Sequence, residues 1–404
     1  MQETSEITKP KFNRGKKLIL ISVIVFLDFL SFGILIPLIP GLVRQFSNQA
    51  FVLGLTFSAF AIGQLIMSPF LGVLSDRYGR RVILLTSTLG GMVASYLLIF
   101  ANGISLIVVS RFLDGLTGGN LLAGQAYIAD ITEPEQRAKN FGLLGVSIGI
   151  AFILGPALGG ILSRVNIQAP AIVAGTLYLV TAILVWLGLP ESLPVNQRRR
   201  KPIQWVKLNP LIQIIQAFKR QSLRLLLWVT FLLNFAENGL RSNLQVLTAE
   251  RFNLAIEQNA ILFSYLGVIS ALMQGIVIRS LTKRFPEQKL MIAGFSLMIL
   301  GYTGIALAPS VRMLYFSLTF NVVGFSVASP TLLSALSAGV SSQEQGFLMG
   351  AIQVISTITL IVSPALVGFG FDRISTSSPY WTGAILLLIA NLTLLARSPI
   401  NSDK

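Results

Sequence analysis

The sequence predicts an all-α membrane protein: twelve transmembrane helices in two six-helix, pseudo-symmetric bundles. Three observations lead there. Mean hydropathy is +0.74, with 53% apolar and only 12% charged residues. Several apolar runs are long enough to cross a bilayer. The two halves of the chain also repeat each other at one register. A soluble domain averages roughly 25% charge because its surface meets water, and a lipid-facing surface has no such need. Residues 18–39 and 141–162 each exceed the roughly 18 residues that mark a spanning helix. In hydrocarbon each backbone amide must be satisfied within its own segment, so these runs form helices.

The elements follow in order. Residues 1–17 are a polar, basic tail, and no small-residue cleavage site follows the first apolar stretch, so that stretch is expected to remain as a span. The first bundle, 18–189, holds spans at 18–40, 51–74, 82–101, 104–127, 139–162 and 168–189. The second, 222–397, holds spans at 222–246, 258–279, 289–308, 311–337, 346–369 and 379–397, and residues 398–404 form a short tail. Between them lies the linker 190–221. There Asn209 can cap a helix with Pro210 in its first turn, and Leu208, Leu211, Ile212, Ile215 and Phe218 share one face. This reads as an amphipathic helix on the membrane surface with Trp205 at headgroup level, or else as a linker with chance periodicity.

The net charge of +15 does not point to nucleic acid, because the basic residues alternate by loop. Lys9, Lys11, Arg14, Lys16 and Lys17 precede the first span. Arg77, Arg80 and Arg81 follow the second, Arg137 and Lys139 the fourth, and Arg198–Lys201, Lys207, Lys219, Arg220 and Arg224 the sixth. Lys283, Arg284 and Lys289 follow the eighth, whereas the intervening loops carry mostly single charges such as Arg44, Arg164, Arg251, Arg312 and Arg373. The positive-inside asymmetry implies a multi-pass inner-membrane protein with both termini in the cytoplasm.

The repeat has four anchors. Glu135-Gln136 recurs as Glu344-Gln345, and Gly155-Pro156 through Gly160 as Ser363-Pro364 through Gly368. Asp28-Phe29 answers to Asn234-Phe235, and Ser75 through Tyr78 to Thr282 through Phe285; the offsets are 206–209. Six spans per half give both halves the same orientation, related by an axis along the membrane normal. Such a pair, with a site between the halves near mid-membrane, is a transporter architecture.

Gly72-Val73-Leu74-Ser75-Asp76-Arg77-Tyr78-Gly79-Arg80-Arg81 is the most specific stretch. It resembles the signature loop of the major facilitator superfamily, and the resemblance covers nearly the whole chain. Arg111-x3-Gly115 is similar to that family's fourth-span arginine motif. Gly142-x8-Ala151-x3-Gly155-Pro156-x2-Gly159-Gly160 is similar to the fifth-span motif of its drug/proton antiporter branch, with Ala151 in place of a glycine. Asp28 through Pro40 resembles the first span of tetracycline/proton antiporters. The chain departs from that group at Val93-Ala94-Ser95-Tyr96 and across 290–308, where acids are expected, and it has no histidine. The resemblance therefore implies a small amphipathic or lipophilic substrate whose identity stays open. It further implies that Asp76 caps the cytoplasmic start of span eleven in an outward-facing state while Arg80 pairs with Asp130. Gly72, Asp76, Arg77, Gly79, Arg80, Arg81 and Asp130 would then form a conformational latch. The plain alternative is a basic loop that only sets topology.

Three carboxylates inside spans are candidate proton carriers. Asp28 sits near mid-bilayer, and intramembrane acids usually face a cavity and act there. Asp114 lies three residues after Arg111, on nearly the same face, either as a working pair or as a lock on packing. Glu237 shares a polar helical face with Asn234, Asn238 and Arg241, either as a second proton site or as an i,i+4 pair near the outer interface. Arg111, Asn234, Asn238 and Arg241 are also candidates to line a substrate cavity, with Gln64, Gln125, Gln274, Asn321 and Gln353, although amides join helices too. The fifth-span glycines suit either close packing or a rocking point at Pro156.

The chain has no cysteine and no histidine, which leaves out disulfides, thiol chemistry and imidazole metal sites. No phosphate-binding loop of the Gly-x4-Gly-Lys-Ser/Thr type occurs, and no catalytic constellation is visible. The expectation is a monomeric, non-enzymatic antiporter with no cofactor or metal, energised by the proton gradient, whose partners are protons, a small amphipathic molecule and the bilayer. A lipid or lysolipid transporter of the same fold, or a non-transporting membrane sensor, are the rivals.

Overall fold

A computed structural model describes residues 14–198, 209–341 and 344–396. Trp205, Leu208, Lys207, the run 199–201 and most of both tails lie outside the described residues. The described residues form helices and no strand. In chain order they are α1 (Arg14–Leu35), α2 (Leu38–Arg44), α3 (Ala50–Tyr78), α4 (Arg80–Ile99), α5 (Ile104–Thr117), α6 (Asn120–Ile131), α7 (Pro134–Val165) and α8 (Ala169–Gly188). The second series is α9 (Pro210–Lys219), α10 (Gln221–Phe252), α11 (Ile256–Leu272), α12 (Ile278–Arg284), α13 (Glu287–Leu307), α14 (Val311–Ala338), α15 (Gln345–Arg373) and α16 (Ser378–Leu395), with a π turn at Met273–Val277 joining α11 to α12.

Three spans are interrupted. In the first, Pro37 has no N–H and its ring crowds the carbonyl four residues back; Ile36 N instead bonds Gly33 O at 3.2 Å before α2 resumes. In the fourth, Gly118-Gly119 separate α5 from α6, and Asn120 opens the second piece. The eighth carries the π turn.

Eleven helices among the described residues are long and apolar enough to cross a membrane. The twelfth, α10, is not apolar enough, although its 32 residues span about 48 Å at roughly 1.5 Å per residue. Its middle carries Asn234, Glu237, Asn238, Arg241, Ser242, Asn243 and Gln245, most of them turned inward. It packs along α15 and α16 in the second bundle, so the twelve-helix, two-bundle arrangement holds. A hydropathy scan undercounts the helix whose polar groups face protein instead of lipid.

Helix α9 docks on α15 and α10. Ala217 is fully buried, with Ile214 and Phe218 packed beside it, while Ile212 and Ile215 remain exposed. The expected single apolar face is thus divided: Phe218 turns to the bundle and Ile212 and Ile215 turn away.

The first bundle is held by α1 against α7 and α8, α3 against α5, and α4 against α8. The second is held by α13 against α14 and α16, and by α10 against α15 and α16. The main helix pairs that join the bundles are α3 with α15 and α7 with α11, with a smaller contact of α3 with α10. The molecule has two ends. One, here the basic end, carries Gly79, residues 190–198, Asn209 and the connection before α15; the other, the far end, carries the starts of α3 and α11 and the end of α15.

Among the described residues the hydrogen bonds and ion pairs between bundles lie toward the far end. Asp372 Oδ1 and Oδ2 each accept a backbone N–H of α3, from Ala50 and Phe51, both at 2.9 Å. Ser58 Oγ donates to Ile361 O at 2.5 Å. A Cβ on Gly54 would lie 2.6 Å from the Pro364 carbonyl carbon, so glycine is what lets the two backbones meet. On the other side Ser264 Oγ donates to Ile153 O at 3.0 Å and Arg164 pairs with Glu257 at 3.5 Å. Toward the basic end the same helices separate. Gly72, Gly142, Gly145, Gly149, Gly275 and Gly346 have open space where a side chain would go, and the π turn and α12 bury no residue. The cleft between bundles therefore opens at the basic end and is sealed at the far end.

Candidate functional site

The interruption of the fourth span positions the first polar cluster. Because α5 stops at Thr117, Asn120 becomes the first residue of α6 and reaches Asp28 of α1, whose Oδ1 accepts a hydrogen bond from Asn120 Nδ2. Asp28 is 8% exposed and Asn120 6%. Nearby on α5, Arg111 Nη1 donates to Asp114 Oδ2 at 3.1 Å, both side chains buried. Arg111 Nε and Asn120 Oδ1 find no partner among the described residues. Two carboxylates thus share the interior of one bundle, one paired with a guanidinium and one resting on a neutral amide. The second has no cation bonded to it among the described residues.

The second bundle differs. Glu237 is buried and accepts from Arg241 Nε at 2.9 Å, while the Arg241 side chain is 60% exposed and lies over the Phe325 ring at 5.5 Å. Asn238 donates to Thr359 Oγ1 at 3.1 Å, and Asn234 bonds Thr230 O at 2.8 Å and receives Ser356 Oγ at 3.4 Å. The repeat partner of Asp28 is therefore an amide stitched to its own helix and to α15.

The signature loop is a tight reversal. Gly79 has φ +111°, a conformation that side chains resist, and it turns α3 straight into α4. Arg80 then reaches back to Asp76 Oδ1 at 2.5 Å and across to Asp130 Oδ2 at 3.2 Å. Glu191, just past α8, accepts the first two amides of α4, Arg80 N at 2.9 Å and Arg81 N at 3.2 Å. This is a carboxylate on a helix N-terminus. Arg81 donates to the carbonyls of Val185 and Trp186, and Arg77 stacks on Tyr78. All these bonds stay within the first bundle. Asp76 is on Arg80, not at the start of α15.

The fifth-span motif faces two ways. Gly155 and Gly159 meet the backbone of α1 at Gly33 and Ile34, and Gly160 meets Ala260 and Glu257 of α11. Ala151 is buried against Gly33, Pro156 lies inside α7, and Gly142 has open space where a side chain would go. Among the expected cavity residues, Gln125, Gln274 and Gln353 are exposed and Gln64 is half-buried. Arg111 and Asn321 correct the expectation. They are 5% and 1% exposed, enclosed by their own bundles, because helix packing decides which side of a polar helix meets the cleft. No group of acids suited to a metal occurs among the described residues.

Sequence reasoning passed over Asn120, Glu191 and Asp372. Asn120 follows Gly-Gly within an apolar run, which is a legible sign of a broken span. Glu191 and Asp372 look like ordinary loop acids until the fold brings helix starts to them.

Comparison with known proteins agrees with this architecture. The chain is 30% identical over 394 residues to the class D tetracycline resistance protein of Salmonella ordonez, covering 95% of this chain and 98% of that one. It is 28% identical over 386 residues to multidrug resistance protein 1 of Bacillus subtilis (strain 168), covering 93% and 95%. Its fold matches a bacterial homologue of the human lysosomal transporter Spinster, solved in an inward-facing, occupied conformation. The TM-score is 0.76 at 15% identity, over 96% of this chain and 97% of that one. A model of the Major Facilitator Superfamily matches residues 21–364 and 275–404. With twelve helices in two bundles, a cleft between them, a broken polar span inside the first bundle and a family model matching most of its length, the chain belongs to the Major Facilitator Superfamily, a family of membrane transporters.

Proposed function

We propose that this protein exports a small amphipathic compound in exchange for protons, by alternating access at a bacterial inner membrane. The basic end and both termini would face the cytoplasm, so the conformer described is open inward. The bundles 18–189 and 222–397 rock against each other as a monomer, with no cofactor. The observation that carries this is Asp28: a buried mid-span carboxylate held by the neutral Asn120, beside the pair Arg111–Asp114. Asp28 takes a proton from outside and releases it inside, with Asp114 and Glu237 as further candidates for the proton path. The names of the tetracycline and multidrug resistance relatives fit efflux of a drug-like molecule. A membrane potential of 100 mV supplies about 2.3 kcal/mol per charge moved.

The test is proton movement in inverted vesicles under an imposed pH gradient, with a panel of amphipathic cations, anions and neutral compounds. At least one compound should dissipate the gradient in the wild type, and Asp28→Asn should lose that response by about tenfold or more, since each 1.4 kcal/mol of lost coupling is tenfold. A wild-type response in Asp28→Asn removes Asp28 from the mechanism; no response to any compound removes proton exchange.

A further inference from the structure

Five charged side chains lie at least seven residues in from either end of a span among the described residues: Asp28, Arg111, Asp114, Glu237 and Arg241. Four are buried to 8% exposure or less. Arg241 alone is open, with a side chain 60% exposed. Its helix α10 also touches α3 of the first bundle, while α14, which carries the Phe325 under Arg241, packs on α11, itself joined to α7. Arg241 thus lies between the two helix sets that meet the first bundle, beside the gap. A charged head in the middle of a span is tolerated where it meets a water-filled cavity.

Three features make this guanidinium a ready ligand for an anion. Glu237 takes only Nε, at 2.9 Å, and neither Nη has a partner among the described residues. The outer edge of the planar fork, which matches a carboxylate in two parallel bonds, is therefore unused. Phe325 lies under the guanidinium at 5.5 Å, and together they form a flat platform on which an aromatic ring can stack. Glu237 is 6% exposed, so a molecule in the cleft meets the cation first, with the acid shielded behind it. The acids of the first bundle are likewise withdrawn. A lipophilic cation would find no exposed carboxylate in the middle of the cleft and would approach a like charge.

We infer that the compound carried is a planar weak acid, bound as its anion by the Nη edge of Arg241 against Phe325. This rests on the exporter reading for the transport step but not for binding. The test uses purified full-length protein and two probes of matched size, 1-naphthoate and 1-naphthylmethylammonium, with binding read by calorimetry. Naphthoate should bind at least tenfold more tightly than the amine. Arg241→Gln with Glu237→Gln, which leaves no buried acid without its partner, should abolish the preference. Arg241→Lys should keep part of it, and Phe325→Leu should weaken naphthoate severalfold. Thermal unfolding of each variant checks that the fold is kept. Equal or tighter binding of the amine, binding of neither probe, or a preference that survives the double substitution overturns the inference. If naphthoate binds through Arg241 but moves no protons in vesicles, the inference stands and the exporter reading fails. If amines alone drive Asp28-dependent proton flux, the reverse holds.

Discussion

The two ends of this molecule use similar residues to opposite effect. At the far end, carboxylate and glycine act across the divide: Asp372 of α15 holds the first amides of α3, and Gly54 lets α3 lie on Pro364. At the basic end, carboxylates act within each bundle. Asp76 and Asp130 hold Arg80, Glu191 holds the start of α4, and Glu344 holds Arg220 at 2.8 Å. Asp76 closes α3 at the basic end as Asp372 closes α15 at the far end. In this conformer only Asp372 sits on the opposite bundle's helix start. The difference teaches that the closed side is marked by contacts made across the gap, the Asp372 cap, the Gly54 approach and the pairs Arg44–Glu250 and Arg164–Glu257, while ion pairs made within a bundle leave their end open.

Wedging the far end should perturb this contrast most. In Gly54→Leu the new side chain meets Pro364 and the Ala365 Cα within 2.8 Å, and overpacking of this kind costs about 1–3 kcal/mol. The chain has no cysteine, so spin labels on Gln49→Cys and Ile374→Cys report the far-end distance cleanly. The distribution should shift toward longer distances by roughly fivefold or more in population. An unchanged distribution would mean that the seal does not hold the conformer.

Removing the cross-bundle cap comes next. Loss of an N-cap costs about 0.5–2 kcal/mol, so Asp372→Ala should raise the far-open population by roughly two- to thirtyfold in the same measurement. Asp372→Asn, which keeps an accepting oxygen, should fall between. If Asp372→Ala matches the wild type while Gly54→Leu does not, backbone packing alone makes the seal.

The smallest effect concerns a bond that stays within one bundle. The Glu344 carboxyl is held below the ordinary glutamate range by the Ser341 hydroxyl, and further by Arg220 and the Ser341 amide. A lowered value in the folded state means that the stabilisation is complete above the ordinary value of 4.5 and is lost as pH falls through the lower folded value. Amide exchange at Ser341, corrected for intrinsic rates, should quicken over that acid window, and Glu344→Gln should flatten the change. Because the pair is exposed, the far-end distances should not respond.

Much of this was legible in the residues. Hydropathy and length mark eleven spans, and the internal repeat supplies the twelfth, α10, whose polarity hides it from an apolar window. Pro210 opens α9 as expected. Asp28, Asp114 and Glu237 could be singled out because an acid inside an apolar run is costly wherever it falls. What those acids bond to was not legible. Asn120 meets Asp28 across ninety-two positions, Glu191 meets Arg80 across one hundred and eleven, and Asp372 meets Ala50 across three hundred and twenty-two.

The sequence by itself determined the number of spans, their kinship between halves, and which spans contain charge, because these depend on solvent transfer and local periodicity. Only the tertiary structure decided that Arg111 and Asn321 are enclosed while Arg241 is open, and that the cleft opens at the basic end. A helix has several sides, and which of them meets a neighbour, lipid or the cleft is set by packing against helices distant in the chain. The open end goes with contacts, the Asp372 cap and the Gly54 approach among them, that exist only when two bundles touch.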